Sequence, residues 1–387
     1  MPVSVGGEFF TGGIAAGDPN TEWFTVGVEK SGTTSCRAVR RLAGTVAGTC
    51  FAPEERRTAM MRRDVVVIGG SAGSHKALTQ VLARLPADLP AAVLVALHMA
   101  PGARAALARS LASSCALPVR AAVDGGRLEP GCVQVAVPDR HLIVDEDDVL
   151  RLSDGPRQNR VRPAADALFR SAARWCGPRV VGMVLSGSLD DGAAGLAAIV
   201  SDGGIGLVQD PAEARFPGMP TAALRVVPDA MTATAFDLGD AVAKMAGNPV
   251  IAASRPPTPL IWETDMIAYG ASNTADRGQA VGLGCPDCGG GMYLVRTGLA
   301  AHYVCHVGHS YSPQSLLAVR DDGIEGAIWT AVSALQEKVM VIEELVSQSE
   351  KTGDAVAAAA FRAEAERAGR AATVLQEHVN RSAPAGR

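Results

Sequence analysis

The chain has 387 residues, 48% hydrophobic and 20% charged, with a formal net charge of −4. That length leaves room for more than one domain and a sizeable core, while the lack of a basic surplus argues against nucleic-acid binding. No apolar run is long enough to span a bilayer, and the N-terminus lacks the basic start and apolar core of a secretory signal.

Eight cysteines are modest for this length, and three of them cluster with histidines near the C-terminus. The pattern favours reduced thiols, one metal site and a cytoplasmic address over a disulfide framework. Residues 1–62 are Gly-, Thr- and Ala-rich without sustained period, and they are expected to form a disordered tail in which Cys36 and Cys50 have no role. Met60 and Met61 stand directly before the first strong strand, the arrangement expected if translation naturally begins there.

Val65–Ile68 is a continuous β-branched run, as expected of a parallel strand buried on both faces. Gly69–Gly73 breaks it, and Ser74 is a candidate cap for a helix running to about Leu85. Gly69-Gly70-Ser71-Ala72-Gly73 matches G-x-S-x-G, a strand–turn–helix device that holds a serine hydroxyl clear of a sheet. A glycine-rich phosphate turn or a plain strand-to-helix turn would look similar, but neither the P-loop nor the dinucleotide-binding glycine frame fits.

From Asp64 to about Gly247 strand and helix patterns alternate, which predicts an α/β domain with a largely parallel, doubly wound sheet. Ala91–Leu97 is a second buried strand ending at His98, and Pro101–Ala112 reads as a helix. Gly131–Val137, His141–Val144 and Val149–Leu152 look like antiparallel strands, followed by an amphipathic helix over Pro163–Cys176. Arg179–Ser186 is a third buried strand, leading into Gly187–Asp191 and a helix over Gly195–Ser201. Ile205–Gln209 is a further strand, Asp210–Pro220 a loop, and Thr221–Arg225 and Asp237–Met245 close the domain as helices.

Ser71, His98 and Asp191 each fall just past the carboxyl end of a buried strand, the edge where open α/β sheets bind ligands. A serine hydroxyl needs a base to become nucleophilic near neutral pH, and the base needs an orienting group. His98 is the leading base, with a backbone-bonded core histidine as its plain alternative; His75 competes from the first helical turn. Asp191 is the candidate orienter, with a helix N-cap as its plain alternative and Asp190 as a substitute. Backbone N–H groups of Ala72 and of the Gly187–Leu189 turn around Ser188 are candidate oxyanion donors.

The chain order serine, histidine, aspartate differs from that of the α/β-hydrolases. The chain instead resembles the protein-glutamate methylesterase (CheB-like) family of bacterial chemotaxis. The resemblance rests on Ile68–Gly73, Leu97–Pro101, Asp124–Gly131, Val135–His141, Arg162–Phe169, Leu185–Leu196 and Gln209–Ala222, in unbroken order across 64–246. It implies a sheet domain, over residues 63–247, that hydrolyses glutamyl methyl esters on receptor cytoplasmic helices, releases methanol and deamidates some glutamines. The family's catalytic serine, histidine and aspartate fall on Ser71, His98 and Asp191, with no cofactor for catalysis. Ala72 and Ser74 stand where the family usually has Thr and Gly, and Ser188 and Asp190 where it has Met and Asn. These changes reshape the oxyanion side. The family's N-terminal receiver domain is not expected in residues 1–62, so activation in cis by phosphorylation is not expected either. Alternative readings keep the esterase fold as a sensor or scaffold, or direct the esterase at a non-receptor substrate.

Residues 248–283 are partly Pro-, Ser- and Thr-rich and read as a linker. Cys285-Pro-Asp-Cys288 and Cys305-His306-Val307-Gly308-His309 then carry a zinc-ribbon signal over 284–318, with hairpin strands at Met292–Leu294 and His302–Val304. Cys285, Cys288 and Cys305 are expected ligands of a structural zinc. His309 is preferred over His306 as the fourth, because modules attached to this family carry C-x-V-G-H. Residues 319–381 repeat apolar positions at three- and four-residue steps, break near Gly353, and are expected to form a helical hairpin that engages a signalling partner or a second copy.

Overall fold

The strongest apolar runs of the sequence lie side by side in the centre of the computed structural model, which describes residues 24–28, 34–38, 61–100, 107–251, 260–269 and 278–382. Seven strands build the main sheet: β1 Val65–Gly70, β2 Ala92–Leu97, β3 Val119–Ala121, β4 Val133–Val135, β5 Val180–Val184, β6 Ile205–Gln209 and β7 Met231–Ala233. Their spatial order is β7-β6-β5-β1-β2-β4-β3, and every pairing is parallel. Strand order reverses at β1, so the sheet is doubly wound and a crevice opens at the carboxyl ends of β1 and its neighbours.

Alternating side chains of each strand feed two apolar layers. Val66, Ile68, Val93, Val95, Val181, Met183 and Leu207 pack against α1 (Ser74–Leu82), α2 (Leu107–Ala112) and, further along the chain, α6 (Ala235–Met245). Val65, Val67, Leu94, Ala96, Val180, Val184 and Val208 face α3 (Ala165–Cys176), α4 (Ala193–Ser201) and α5 (Gly218–Val226). Helices thus cover both faces, as a parallel sheet requires.

Several expected boundaries are corrected. Val133–Val135 does not pair with His141–Val144; it lies parallel between β2 and β3. The run suits either orientation, and its parallel pairing with both β2 and β3 decides it. His141–Val144 pairs antiparallel with Leu150–Ser153 as expected. The N-terminal stretch taken as a tail contains an antiparallel pair, Phe24–Val28 with Thr34–Ala38; the remainder of 1–60 lies outside the described residues. The compact unit that carries the main sheet begins at Met61, and Met61–Arg62 pairs with Pro249–Val250. Residues 101–106 of the expected Pro101–Ala112 helix also lie outside the described residues.

The expected linker is partly structured. Within 248–283 the chain forms α7 (Leu260–Tyr269) and starts a second sheet at Gln279. Ile267 packs against Ile143, Ala164 and Ala167, and Arg174 donates to Thr264 Oγ1 and Asp265 Oδ1 at 2.5 Å. Glu263 is buried against His302. Proline-rich flanks hide this helix in the sequence, and its anchors are partners far along the chain.

The second sheet is antiparallel, with β8 Gln279–Gly284, β9 Gly291–Thr297, β10 Ala300–Cys305 and β11 Ser310–Tyr311 in that order. Here too the boundary shifts: α8 runs unbroken over Pro313–Thr352, across the expected module end at 318. Ser312 caps it by accepting from the Ser315 N–H, and Pro313 occupies its first turn. Gly353 ends it at φ 75, a left-handed position that glycine adopts without strain. The returning helix α9 (Ala355–Ser382) completes the hairpin, burying Ala358, Ala368, Ala372 and Val379.

Candidate active site

Register alone brings two of the three candidate residues together. Gly70 of β1 pairs with Leu97 of β2, so Ser71 and His98 are the next residues on adjacent strands, and the His98 N–H donates to Gly70 O at 3.1 Å. Both line one pocket of about 280 Å³, with His75, Leu97, Met99 and Leu107 among its walls. On the other side of β1, the Ser71 N–H donates to Ser186 O at 2.9 Å, which ties the serine turn to the turn after β5. Two glycines make that approach possible. Gly73 has φ 74, and a Cβ on Gly187 would sit 2.9 Å from Ser71 Cβ and 2.0 Å from Met219 Sδ.

Ser74 is the first residue of α1 rather than its cap, and its hydroxyl donates to Ser71 O at 2.5 Å. His75 is exposed and bonds Ser110 Oγ at 3.1 Å. Among the described residues the Ala72 N–H has no hydrogen-bond acceptor, whereas the Gly187 N–H is taken by Phe216 O at 2.9 Å, so Gly187 is removed from the oxyanion candidates. Ser188 is exposed on its turn.

His98 Nε2 lies 2.7 Å from Asp191 Oδ2. Asp191 does not cap the helix it precedes. Its carboxylate sits instead at the N-terminus of α3, accepting from the Ala165 N–H at 2.6 Å and the Asp166 N–H at 3.2 Å, where a helix favours an anion. Asn159 Nδ2 supplies a further donor at 2.9 Å. Burial opposes ionisation of Asp191, but the His98 contact, followed by Asn159 and the Ala165 N–H, outweighs it and holds the carboxyl at about 2. Its neighbour Asp190 turns the other way: burial pushes it up to about 6, and it accepts from Ser312 Oγ at 2.5 Å. One turn therefore carries two acids with opposite environments, and only Asp191 faces the imidazole.

Sequence reasoning missed Asn159 and Asp166. Asn159 Nδ2 also donates to Asp166 Oδ2 at 2.9 Å, and Asp166 Oδ1 accepts from the Gly195 N–H at 2.7 Å. Burial raises Asp166, against the pull of Arg170. The one local clue is backbone: Asn159 and Arg160 both have positive φ, at 50° and 70°, which asparagine tolerates better than most residues.

A second cluster lies in the antiparallel sheet. Donor atoms of Cys285, Cys288, Cys305 and His309 are all within 4.8 Å of one another. Cys288 Sγ and Cys305 Sγ are 3.7 Å apart, and Cys305 Sγ is 3.5 Å from His309 Nδ1. A tetrahedral zinc with Zn–S bonds of about 2.3 Å would set its sulfurs about 3.8 Å apart, so the donor set fits such an ion. His306 is exposed over Gly290, outside the cluster. His309 Nε2 faces Asp287 at 3.9 Å, and Tyr311 donates to the same carboxylate at 2.5 Å. Such second-layer contacts orient metal-ligating histidines.

Comparison with known proteins finds a family that this stretch of the chain resembles. Residues 66–241 match the sequence profile described as CheB methylesterase. A protein-glutamate methylesterase/protein-glutamine glutaminase of Anaeromyxobacter dehalogenans is 41% identical over 165 residues, which are 42% of this chain and 45% of the relative. One of the same description from Myxococcus xanthus is 40% identical over 194 residues, 48% of this chain and 56% of the relative. Another, from Symbiobacterium thermophilum, is 34% identical over 58% of this chain and 60% of the relative. The chain thus spans about half the length of the curated relatives it matches. The crystal structure of the Thermotoga maritima CheB methylesterase catalytic domain aligns with a TM-score of 0.46 and 28% identity, covering 47% of this chain and 98% of that one. No described helix is long and apolar enough to cross a membrane. Residues 66–241 thus match the CheB methylesterase profile, and Ser71, His98 and Asp191 of that stretch gather on the sheet's carboxyl rim.

Proposed function

We propose that this chain is a cytoplasmic serine hydrolase that removes methyl groups from glutamate methyl esters of a protein, such as a chemoreceptor cytoplasmic helix, and deamidates glutamine at related positions. The observation that carries this reading is the His98–Asp191 contact at 2.7 Å beside the serine turn, within a domain whose relatives are named for both activities. In the mechanism, Ser71 Oγ attacks the ester carbonyl as His98 accepts its proton. Because Nε2 engages Asp191, Nδ1 is the nitrogen that serves Ser71. Asp191 stabilises the imidazolium. The Ala72 N–H faces the developing oxyanion, with Ser188 in support. The imidazolium then protonates the leaving methoxide, methanol departs, and water activated by His98 releases the free glutamate. With a glutamine side chain the same steps release ammonia.

The test is methanol release from methylated receptor helices. Ser71→Ala is expected to abolish it and to prevent labelling by a fluorophosphonate, with the unfolding midpoint unchanged. Unaltered turnover in that variant would remove Ser71 from the mechanism. The Cys285, Cys288, Cys305 and His309 set is assigned a structural zinc, because four protein ligands close the site and leave no position for substrate. Metal analysis of the purified chain is expected to find about one zinc per chain.

A further inference from the structure

The segment that follows the metal-binding loop runs directly into the support of Asp191. Three residues after His309 stands Ser312, and the Ser312 N–H donates to Asn159 Oδ1 at 2.8 Å. Ser315 Oγ donates to the same oxygen at 3.0 Å. The Asn159 backbone N–H in turn donates to Ser310 O at 2.7 Å. Gln158 Nε2 donates to Gly308 O at 3.0 Å, inside the Cys305–His309 loop. All these groups are buried.

The orientation of the Asn159 amide follows from these partners. Its oxygen meets two donors from the start of α8, and its nitrogen meets two carboxylates, Asp191 and Asp166. Flipping the amide would set the oxygen against both acids. Among the described residues, every hydrogen bond to Asn159 Oδ1 comes from Ser312 and Ser315. The C-terminal module therefore selects which face of the amide Asp191 sees. Ser312 Oγ also donates to Asp190, so the same residue holds the turn that bears Asp191.

We infer that the Cys285, Cys288, Cys305 and His309 site switches the hydrolase on when zinc is bound, by ordering the Ser310–Ser315 segment that pins Asn159 and thereby sets the Asp191 carboxylate against His98. This rests on the hydrolase reading above and adds its regulation. Asn159, Ser312 and Ser315 are positioning residues, since none of them lines the pocket with Ser71. Without zinc the loop loses its anchor, the amide is free to turn, and the imidazolium loses part of its stabilisation.

The test uses the full chain and a small activated ester, with kcat and KM measured from pH 5 to 9. Chelation of zinc is expected to lower kcat about tenfold, the rate equivalent of one good hydrogen bond. KM should hold, and the acidic limb of the profile should move to lower pH as the imidazolium becomes less favoured. Zinc added back should restore both. Ser315→Ala, which removes the side-chain donor to Asn159 Oδ1, should reproduce the drop and the pH shift with zinc still bound, and Ser315→Thr should recover them. An unchanged kcat and pH profile after chelation would overturn the inference. Should chelation unfold the main sheet as well, Ser315→Ala decides alone, and wild-type kinetics in it would overturn the inference. If the zinc-loaded chain neither hydrolyses ester nor takes a fluorophosphonate, the hydrolase reading fails separately. The low-field NMR proton of the His98–Asp191 bond then decides the coupling, with loss on chelation supporting it and persistence overturning it.

Discussion

Beneath and above the seven-stranded sheet lie two broad apolar layers, built from β-branched strand residues and three helices on each side. The four-stranded antiparallel sheet has much less: its own cluster centres on Cys285, Met292, Cys305, Tyr311 and Leu316, and two of these five are candidate metal ligands. Burial of apolar area sustains the first region. A sheet so poor in core needs a metal or a larger neighbour; it carries a donor set that fits a metal, and it docks on the main domain through Ser310–Ser315. The comparison teaches that the seven-stranded sheet has a broad apolar layer of its own on each face, while the four-stranded sheet leans on contacts beyond its own small cluster.

The largest effect that would sharpen this contrast is chemical. Ser71→Ala should reduce ester hydrolysis by at least ~10³-fold while the unfolding transition stays in place, because Ser71 sits on the rim and adds nothing to either apolar layer. Metal removal is the next and acts on the other region. A separate low-temperature transition, followed by tryptophan-independent far-UV circular dichroism, should appear after chelation, with the main transition retained. One merged, unshifted transition would break the comparison.

A third expectation concerns the close approach of the two rim turns. Gly187→Ala would drive a methyl group into Met219 Sδ and Ser71 Cβ, and it should cost about 1–3 kcal/mol in chemical denaturation together with part of the activity. The smallest effect is electrostatic. The Asp191 carboxyl is held at about 2 in the folded chain, below its unfolded value of about 3.9. Its contribution, on the order of 2 kcal/mol, is therefore complete above about pH 4 and lost as pH falls toward 2. Asp190, raised to about 6, works in reverse: its protonated form is favoured by folding, so its contribution is present below about pH 4 and lost as pH rises through 6. Asp190→Asn should flatten the dependence between pH 4 and 6, and Asp191→Asn the dependence below pH 4.

Much of the sheet domain was legible in the chain. Continuous apolar runs such as Val65–Ile68 and Ala92–Leu97 announce strands buried on both faces, since they are short, rich in β-branched residues and bounded by turn signals. Glycines and polar residues directly after them mark the rim, and this is why Ser71, His98 and Asp191 could be picked out one strand at a time. The Cys-x-x-Cys spacing and the long helical periodicity were equally local signals. Harder to read was α7, whose helix is short and whose buried Glu263 is matched by His302, 39 positions away.

What composition, periodicity and motif spacing determined unaided was therefore the class of fold, the rim residues and the donor types of the candidate metal cluster, because each depends on neighbours within a few positions. The tertiary structure alone decided which carboxylate of the Asp190–Asp191 pair meets the imidazole, where β4 pairs, and that Asn159 links the C-terminal module to Asp191. Those outcomes depend on hydrogen bonds between residues up to 156 positions apart. Only the folded chain brings such groups within reach, because their partners are chosen by strand register and helix docking rather than by the residues beside them.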